Sequence, residues 1–475
     1  MAHNVDEIAA RMRRVENGLV PLGVPPDEAS DGLSLAERMV CYGVPGLSVA
    51  LIDGDEIAWA RGYGVREAGH GGRVTPETRF EAGSISKPVA AVAALRLVER
   101  GALDLDADIN DRLVAWRVPA NEDWQPRVTL RHLLSHTGGL TVHGFPGYAR
   151  DADVPTLLQV LDGTKPANTI PIRVDSLPGT QFRYSGGGYC VLQQLLIDVM
   201  DMSFPDLMHE LVLGPAGMAH STYAQPLPQS LWDDAAAGHR FDGTMVVGGW
   251  HVYPEMAAAG LWTTASDLAR FALAVWRSAA GGRETLLSKA MAAQLLAPQL
   301  PDPVGPSLHM GLGLFLAGEE VHARFRHGGS DQGFQSELVA YRDRGQGIAV
   351  MTNGDRGSQL AAEIVWAAAG VYEWPGYREE QPPPVVLDAE ALISYTGSYA
   401  VRPGFVFVVS RDEDGLAVRA TGQAAFPLVA RSETTFITWV LDATFTFVRD
   451  DTGTVTGLAF RQQGHETFAR RMADH

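Results

Sequence analysis

Apolar positions recur along the first three quarters of the chain in patterns that predict helices around antiparallel strands. The segment GLSVALIDGDEIAWARGYG predicts two apolar strands joined by a turn at Asp53-Gly54, because Asp-Gly is a strong hairpin signal. Residues 85–100 are apolar on every side and end at Gly101, which predicts a buried helix. These patterns predict one α+β domain over residues 33–374, an antiparallel sheet flanked by helices. Its later elements are predicted as strands at 309–317, 323–329, 335–341 and 347–352 and a helix at 358–371.

The two ends of the chain differ from this central region. Residues 1–32 predict a helix followed by an arm rich in proline, glycine and aspartate. Residues 375–386 have the composition of a stiff linker, with a run from Pro382 to Pro384. Residues 387–475 hold short alternating segments with turn signals about every ten residues, which predict a small all-β barrel or sandwich.

Composition places the chain among globular proteins and limits its partners. It has 475 residues, 46% hydrophobic and 20% charged, which argues against disorder and fibrous repeats. The 38 basic and 56 acidic residues give a net charge of −18, which argues against nucleic acid or an anionic membrane as the main partner. The sequence holds neither a run of about 18 apolar residues nor an apolar export segment. We therefore predict a soluble, cytoplasmic protein.

Cysteine and lysine are both rare in this chain. Cys41 and Cys190 are too few for a disulfide framework, and we interpret both as small buried apolar residues. The lysines are Lys87, Lys165 and Lys289, against 35 arginines. Arginine keeps its proton in proteins, whereas a lysine can be made neutral by its surroundings. A retained lysine therefore indicates a position where arginine would not serve.

Ser84 and Lys87 form a Ser-x-x-Lys pair at the start of the predicted buried helix. This spacing puts both side chains on one helical face, with Cβ atoms about 5–6 Å apart. A neutral lysine can act as the base that activates a serine, although neutralising an ordinary lysine at pH 7 costs about 4.6 kcal/mol. Burial and the positive end of the helix both favour the neutral amine, and the Ser84 N–H can face a developing oxyanion. The alternative is a serine N-cap followed by an ordinary first-turn lysine, where a cation is unfavourable.

Two further segments carry candidate chemistry. Tyr184 precedes a glycine run that opens another apolar helix, and a phenol beside an ammonium can act as a general base. Considered alone, Tyr184 is also consistent with a packed aromatic residue. His327 ends a predicted strand, and Gly328-Gly329 let another backbone approach closely, so the Ser330 N–H can serve as a second oxyanion donor. The alternative for His327 is a structural histidine.

The order of these motifs resembles the serine β-lactamase and penicillin-binding-protein superfamily, whose marks are S-x-x-K, Y-x-N and K-T-G or H-x-G. The chain is most similar to the branch that contains class C β-lactamases, D-aminopeptidases, DD-carboxypeptidases and β-lactamase-like esterases. The segments VTLRHLLSHTGGL at 128–140 and AAAGLWTTASDLARF at 257–271 are also similar to stretches of that branch. Residues 387–475 resemble the lipocalin-like domain appended to some of these peptidases.

The resemblance implies a role for each matching residue and a fold with a helical subdomain beside the sheet. Ser84 would be the acylated nucleophile, with Lys87 and Tyr184 sharing proton transfer. The Ser84 and Ser330 amides would form the oxyanion hole. Substrate would lie along Gly186, His327, Gly328 and Gly329.

The chain departs from the family pattern at two of these positions. The asparagine that usually orients a substrate amide is Gly186, which has no side-chain donor. The third-motif lysine is His327, so a β-lactam carboxylate would lose a permanent cation there. Both departures favour esters or small peptides and amides over β-lactams.

Motifs for other chemistries are incomplete. His132 and His136 have the i, i+4 spacing of zinc-binding helices but lack the glutamate of H-E-x-x-H. The sequence contains no G-x-S-x-G elbow and no phosphate-binding loop. Glu255 is interpreted as a residue of a loop surface. We therefore expect no metal and no cofactor.

Together these features predict a metal-independent serine hydrolase that acts through an acyl-enzyme on esters or small peptides and amides. The alternatives are a β-lactam hydrolase and a non-catalytic ligand-binding or sensing homologue. The predicted partner is a small ester, amide or peptide substrate, and homo-oligomerisation stays open.

Overall fold

The fold is described from a computed structural model of the chain. The model describes residues 5–20, 32–70, 72–283, 285–305, 308–377, 385–402, 404–412, 415–421, 425–438, 443–462 and 465–472. The proline run Pro382 to Pro384 and most of the predicted N-terminal arm lie outside these residues. The chain divides into two compact units, one built mainly from residues 39–361 and the other mainly from residues 362–475.

The helices predicted at 85–100 and 358–371 are present, as Ser86–Glu99 and Gly357–Val371. The long helix α9 is amphipathic: it begins after Thr264, whose side chain accepts a hydrogen bond from the Asp267 N–H, and it ends at Gly281 with a φ of 78°. The helices are α1 (Val5–Glu16), α2 (Leu35–Tyr42), α3 (Ser86–Glu99), α4 (Leu130–Leu134), α5 (Leu157–Asp162), α6 (Gly186–Met200), α7 (Phe204–Met208), α8 (Met256–Ala259), α9 (Ala265–Ala280), α10 (Lys289–Leu295), α11 (Gly357–Val371) and α12 (Ala389–Tyr395).

The strands of the described residues pair antiparallel in a seven-stranded sheet, a closed barrel and two two-stranded sheets. The strands of the first unit are β1 (Gly46–Asp53), β2 (Glu56–Gly64), β3 (Phe80–Glu81), β4 (Tyr148–Ala149), β5 (His251–Val252), β6 (Trp262–Thr263), β7 (Leu308–Met310), β8 (Phe315–Ala317), β9 (Arg324–Asp331), β10 (Phe334–Tyr341) and β11 (Gly347–Thr352). Those of the second unit are β12 (Gly397–Arg402), β13 (Phe405–Asp412), β14 (Gly415–Ala420), β15 (Ala425–Ala430), β16 (Thr435–Thr438), β17 (Ala443–Arg449), β18 (Val455–Gln462) and β19 (His465–Arg471).

The main sheet of the first unit has the strand order β2-β1-β11-β10-β9-β8-β7. Every residue of β1 and β11 is buried, as expected for central strands with neighbours on both sides. Helix α9 packs across β1, β2, β10 and β11. The α+β fold predicted from the sequence is confirmed, and the hairpin at Asp53-Gly54 joins β1 to β2 as predicted.

Helix α3 lies in the middle of the first unit. All its residues from Ser86 to Leu95 are buried, which explains why its sequence is apolar on every side. It packs against α6 and α8, and a 3₁₀ turn at Gly83–Ile85 leads into its N-terminus. This arrangement places the start of α3 next to strand β9.

The second unit contains a closed barrel of the strands β12 to β19 in chain order. The all-β prediction is confirmed, and of the two architectures left open by the sequence the structure has the barrel rather than the sandwich. Aromatic side chains fill the barrel core, including Tyr399, Phe407, Phe445 and Phe447. The short helix α12 precedes the first strand.

Some expectations from the sequence are wrong or incomplete. The predicted strand 309–317 is two strands, β7 and β8, because the chain turns at Gly313 with a φ of 97°. The helix α12 was not predicted. Cys41 is exposed rather than buried, whereas Cys190 is buried as expected. Among the described residues, no helix has both the length and the apolar character needed to cross a membrane.

Candidate active site

Ser84 lies in the 3₁₀ turn Gly83–Ile85, directly before α3. Gly83 has a φ of 53°, the left-handed conformation that favours glycine, so the turn depends on this residue. The Ser86 hydroxyl donates to the Gly83 carbonyl at 2.6 Å and accepts from the Leu261 N–H at 2.9 Å. These buried contacts fix the turn from which the partly exposed Ser84 side chain projects.

Lys87 lies one helical turn after Ser84, and its side chain is directed back to the serine. Its Nζ donates to Ser84 Oγ at 2.9 Å and to the Ala258 carbonyl at 2.7 Å. The residue is 2% exposed. The structure thus brings together the hydroxyl and the amine that the sequence spacing places on one helical face. At this distance a proton can pass directly between them.

The carbonyl of Ala258 was not foreseen as part of the site, and a glutamine of α6 holds it in place. Gln193 Nε2 donates to the Pro254 carbonyl at 3.1 Å, and Gln193 Oε1 accepts from the Ala257 N–H at 3.0 Å. Both contacts are buried. They fix the segment that presents Ala258 to the amine of Lys87.

Tyr184 also lies beside Lys87, with 5.0 Å between Lys87 Nζ and the centre of the phenol ring. The next residue, Ser185, is the N-cap of α6 and accepts from the Gly188 N–H at 2.9 Å. The Tyr184 ring is 6% exposed and stacks on His136, with ring centres 4.2 Å apart. The start of α6 therefore fixes Tyr184 against the amine.

His136 is a site residue that the sequence reasoning missed, because it was weighed only as a metal ligand. Its Nδ1 accepts from the Ser185 N–H at 3.1 Å. Burial lowers the pKa of His136 well below its ordinary value, and Lys87 lowers it further, so the ring is neutral. The signal available was its position in the segment 128–140, which resembles the family. His132 instead accepts from the Thr129 N–H at the cap of α4.

The backbone of β9 lies directly against the turn that carries Ser84. Strand β8 pairs with β9 from Arg324 to Arg326, and beyond that point β9 contacts the turn. A Cβ atom added to Gly83 would lie 2.5 Å from Ser330 N, and one added to Gly329 would overlap the Ala82 carbonyl oxygen. The two segments thus meet backbone to backbone, and Ser330 N lies beside the turn that carries Ser84.

His327 and Gly328 lie earlier on β9, and the centre of the His327 ring is 6.4 Å from that of Tyr184. His327 Nδ1 lies 2.7 Å from the Gly328 carbonyl oxygen and donates to it, which leaves Nε2 as an acceptor. Burial lowers the pKa of His327 to about 3, and Lys87 adds to the shift. Nε2 is buried and has no hydrogen-bond partner among the described residues. At neutral pH this position therefore offers a hydrogen-bond acceptor rather than a cation.

Gly186 occupies the first position of α6, close to an aromatic ring. A Cβ atom at this position would lie 2.9 Å from Phe145 Cε2 and 3.1 Å from the His143 carbonyl oxygen. The ring of Phe145 thus fills the space into which a side chain at 186 would point. The glycine and the phenylalanine are a matched pair, and an amide side chain would not fit without displacing the ring.

Three carboxyl groups are buried around Tyr253: Glu81, Glu255 and Asp331. Burial raises the pKa of Asp331 and of Glu255 to about 8, and it raises the pKa of Glu81 well above its ordinary value. Lys87 and the Gly83 N–H act against the shift of Asp331. The interpretation of Glu255 as a residue of a loop surface is wrong, because its exposure is 0%.

These carboxyl groups predict that the protein loses stability as the pH rises from 6.5 to about 8. A carboxyl whose pKa is higher in the folded chain binds more protons when folded, so the free energy of unfolding falls as the pH rises toward that pKa. His136 and His327 act in the opposite direction only below about pH 6.5, where unfolded histidines gain protons. We expect a lower Tm at pH 8 than at pH 6.5, measured by thermal unfolding. Glu255→Gln should reduce the difference, and an equal or higher Tm at pH 8 would contradict this prediction.

Among the described residues, no group of three or more His, Cys, Asp or Glu side chains is arranged to hold a metal ion. The chemical groups collected at the site are a hydroxyl, an amine, a phenol, neutral imidazoles, backbone N–H groups and the buried carboxyl of Asp331. A hydroxyl in contact with a buried amine and flanked by backbone donors can attack a carbonyl carbon and stabilise the resulting oxyanion.

The chain matches two family models and is similar in sequence to known proteins. A family model described as Beta-lactamase matches residues 34–372, and one described as Domain of unknown function (DUF3471) matches residues 381–471. Penicillin-binding protein 4* of Bacillus subtilis (strain 168) is 23% identical over 453 residues, which cover 89% of this chain and 94% of that protein. Esterase EstB of Burkholderia gladioli is 40% identical over 85 residues, which cover 18% of this chain and 22% of that protein.

A solved structure is also similar to most of the chain. The octameric penicillin-binding protein homologue from Pyrococcus abyssi has 22% sequence identity and a TM-score of 0.61. The alignment covers 92% of this chain and 98% of that one. This likeness shows that the two proteins share a fold.

Proposed function

Because the chain belongs to the Beta-lactamase family, whose model spans residues 34–372, we propose that it is a serine hydrolase that works through an acyl-enzyme. The observation that carries this proposal is the 2.9 Å hydrogen bond between Lys87 Nζ and Ser84 Oγ. Acyl transfer also requires donors that stabilise the oxyanion, and Ser330 N lies close enough to the Ser84 turn to supply one.

In the first half-reaction Lys87 acts as the base and takes the proton of Ser84 Oγ while that oxygen bonds to the substrate carbonyl carbon. The carbonyl electrons move onto oxygen, and the Ser84 and Ser330 N–H groups stabilise the charge. The carbonyl re-forms as the leaving group departs with the proton, delivered from Lys87 through Tyr184. Water then attacks the acyl-serine by the same route in reverse, which releases the acid and restores Ser84.

We propose esters or small peptides and amides as the substrate class. Two observations support this choice over β-lactams. His327 is neutral and cannot supply a fixed cation for a carboxylate. Phe145 fills the space beside Gly186, where relatives of this pattern carry an amide side chain. The similarity to esterase EstB over 85 residues is consistent with ester chemistry.

The direct test is labelling with a fluorophosphonate probe followed by intact-mass analysis. We expect one adduct in the wild type, located at Ser84 by peptide mapping, and none in Ser84→Ala. Labelling without turnover on any ester or amide would instead support a non-catalytic homologue. Absence of the adduct, or an adduct that persists in Ser84→Ala, would overturn the proposal.

A substrate panel tests the proposed class. Short-chain p-nitrophenyl esters, D- and L-aminoacyl amides and a chromogenic cephalosporin would be compared by kcat/KM. We expect the best ester or amide to exceed the cephalosporin by about 10- to 100-fold, because a charged hydrogen bond typically contributes about 1.5–3 kcal/mol. Equal or faster cephalosporin hydrolysis would contradict the proposed preference.

We also propose the domain boundaries predicted from the sequence: residues 33–374 as the hydrolase domain, 375–386 as a linker and 387–475 as a separate barrel domain. The two family matches, at 34–372 and 381–471, support this division. Homo-oligomerisation is a further proposal, supported by the octameric state of the Pyrococcus abyssi homologue.

A further inference from the structure

A serine of the central sheet is hydrogen-bonded to the segment that carries the nucleophile. Ser336, on β10, is 6% exposed, and its Oγ donates to the Ala82 carbonyl oxygen at 2.9 Å. Ala82 lies two residues before Ser84, at the start of the 3₁₀ turn. This contact joins the sheet directly to the turn that holds the nucleophile.

The hydroxyl of Ser336 reaches Ala82 because Gly329 lies between them without a side chain. Ser336 and Gly329 are opposite each other in the pairing of β10 with β9. A Cβ atom added to Gly329 would overlap both Ser336 Oγ and the Ala82 carbonyl oxygen. Because Gly329 has no Cβ atom, the Ser336 hydroxyl occupies the space beside it and reaches the Ala82 carbonyl oxygen.

This hydrogen bond ties together the two segments that carry the backbone donors of the proposed oxyanion hole. Ser84 follows Ala82 on one side of the contact, and Ser330 follows Gly329 on the other. Ala82 is held from its other side as well, since its N–H donates to the Leu261 carbonyl at 2.9 Å. Without the Ser336 hydroxyl, the Ala82 carbonyl oxygen would keep its hydrogen bond from the Ile85 N–H, at 3.2 Å, but would lose its partner in the sheet. The turn would then be held to the sheet by fewer hydrogen bonds, which lets its spacing from β9 change.

We propose that Ser336 is a positioning residue that sets the spacing between the Ser84 and Ser330 N–H groups. The proposal rests on the proposed function, because it assigns Ser336 a part in stabilising the oxyanion. A displacement of about 1 Å in such a site can lower a rate by about 10²-fold. A residue with this role affects the tetrahedral state more than the binding of the trigonal substrate.

The test compares Ser336→Ala with Ser48→Ala. Ser48 is a matched control because it is fully buried on β1 of the same sheet, and its Oγ has no hydrogen-bond partner among the described residues. We expect Ser336→Ala to lower kcat for an ester by about 10- to 100-fold with KM changed less than threefold. The rate constant for fluorophosphonate labelling should fall by a similar factor, because that reagent also forms a tetrahedral adduct. Ser48→Ala should stay within about twofold of the wild type on both measures.

Three results would overturn the inference: wild-type kcat and labelling in Ser336→Ala, a loss confined to KM, or an equal loss of kcat in Ser48→Ala. If Ser336→Ala does not fold, Ser336→Cys gives the same test, since a thiol is a weaker donor. An intermediate labelling rate is then expected, and a wild-type rate would overturn the inference. Failure of the proposed function can be told apart from failure of this inference, because the wild type itself would then remain unlabelled at Ser84.

Discussion

Replacing Ser84 with alanine should lower ester turnover by about 10⁴-fold or more, because removal of the nucleophile leaves only binding and the backbone donors. The loss should fall on kcat, since the methyl side chain removes the bond-forming oxygen and leaves the turn intact. The measurement is steady-state hydrolysis of the best ester of the panel, with thermal unfolding to confirm the fold. Ser48→Ala, the same chemical change on a buried strand, is the control.

Substantial turnover in Ser84→Ala would identify another nucleophile. Peptide mapping of the labelled wild-type protein would locate it. Such a result would remove the basis of the acyl-enzyme proposal, including the positioning role of Ser336.

Replacing Lys87 with arginine should be nearly as damaging, with a loss of about 10³- to 10⁴-fold in kcat. The guanidinium group does not release its proton, so it cannot accept one from Ser84. It is also larger than the amine, and the rings of Tyr184 and Tyr189 lie 5.0 and 5.9 Å from the present Nζ. Stopped-flow or steady-state measurements of ester hydrolysis would determine the loss in kcat.

Lys289→Arg is the matched control for this substitution, because Lys289 is exposed at the start of α10. It should keep wild-type kcat and KM. Turnover close to wild type in Lys87→Arg would disprove the assignment of the base, while leaving Ser84 as the nucleophile.

The local part of this site could be predicted from sequence because its geometry depends on one turn of helix. Residues three apart on a helix are neighbours in any fold, so the contact between Lys87 and Ser84 required no tertiary information. The approach of Tyr184 to Lys87 depends on how α6 packs against α3, which no periodicity encodes. It was reached only through the resemblance to a family.

Other features of the site depend on tertiary packing and were missed for that reason. Glu255 follows a proline in a segment with loop composition, yet it is buried because that segment packs against α6 through Gln193. His136 carries a spacing typical of metal sites, but its ring is used to support Tyr184. The carbonyl of Ala258 has no signature at all, since every residue carries one.

The limits of the three long strands at the end of the first unit were predicted closely. Strands β9, β10 and β11 begin and end within two residues of the predicted limits. The short elements were not recovered: β7 and β8 were merged across Gly313, and α12 has only seven residues, too few for a clear period.

The scarcity of lysine has a practical consequence for attaching this protein to surfaces. Lys165 and Lys289 are exposed, whereas Lys87 is 2% exposed and hydrogen-bonded at its amine. Reagents that couple to amines, such as activated carboxylates on a resin, should therefore react with Lys165 and Lys289 far more readily than with Lys87. The immobilised material should keep the amine of Lys87 unmodified, without any need to protect it during coupling.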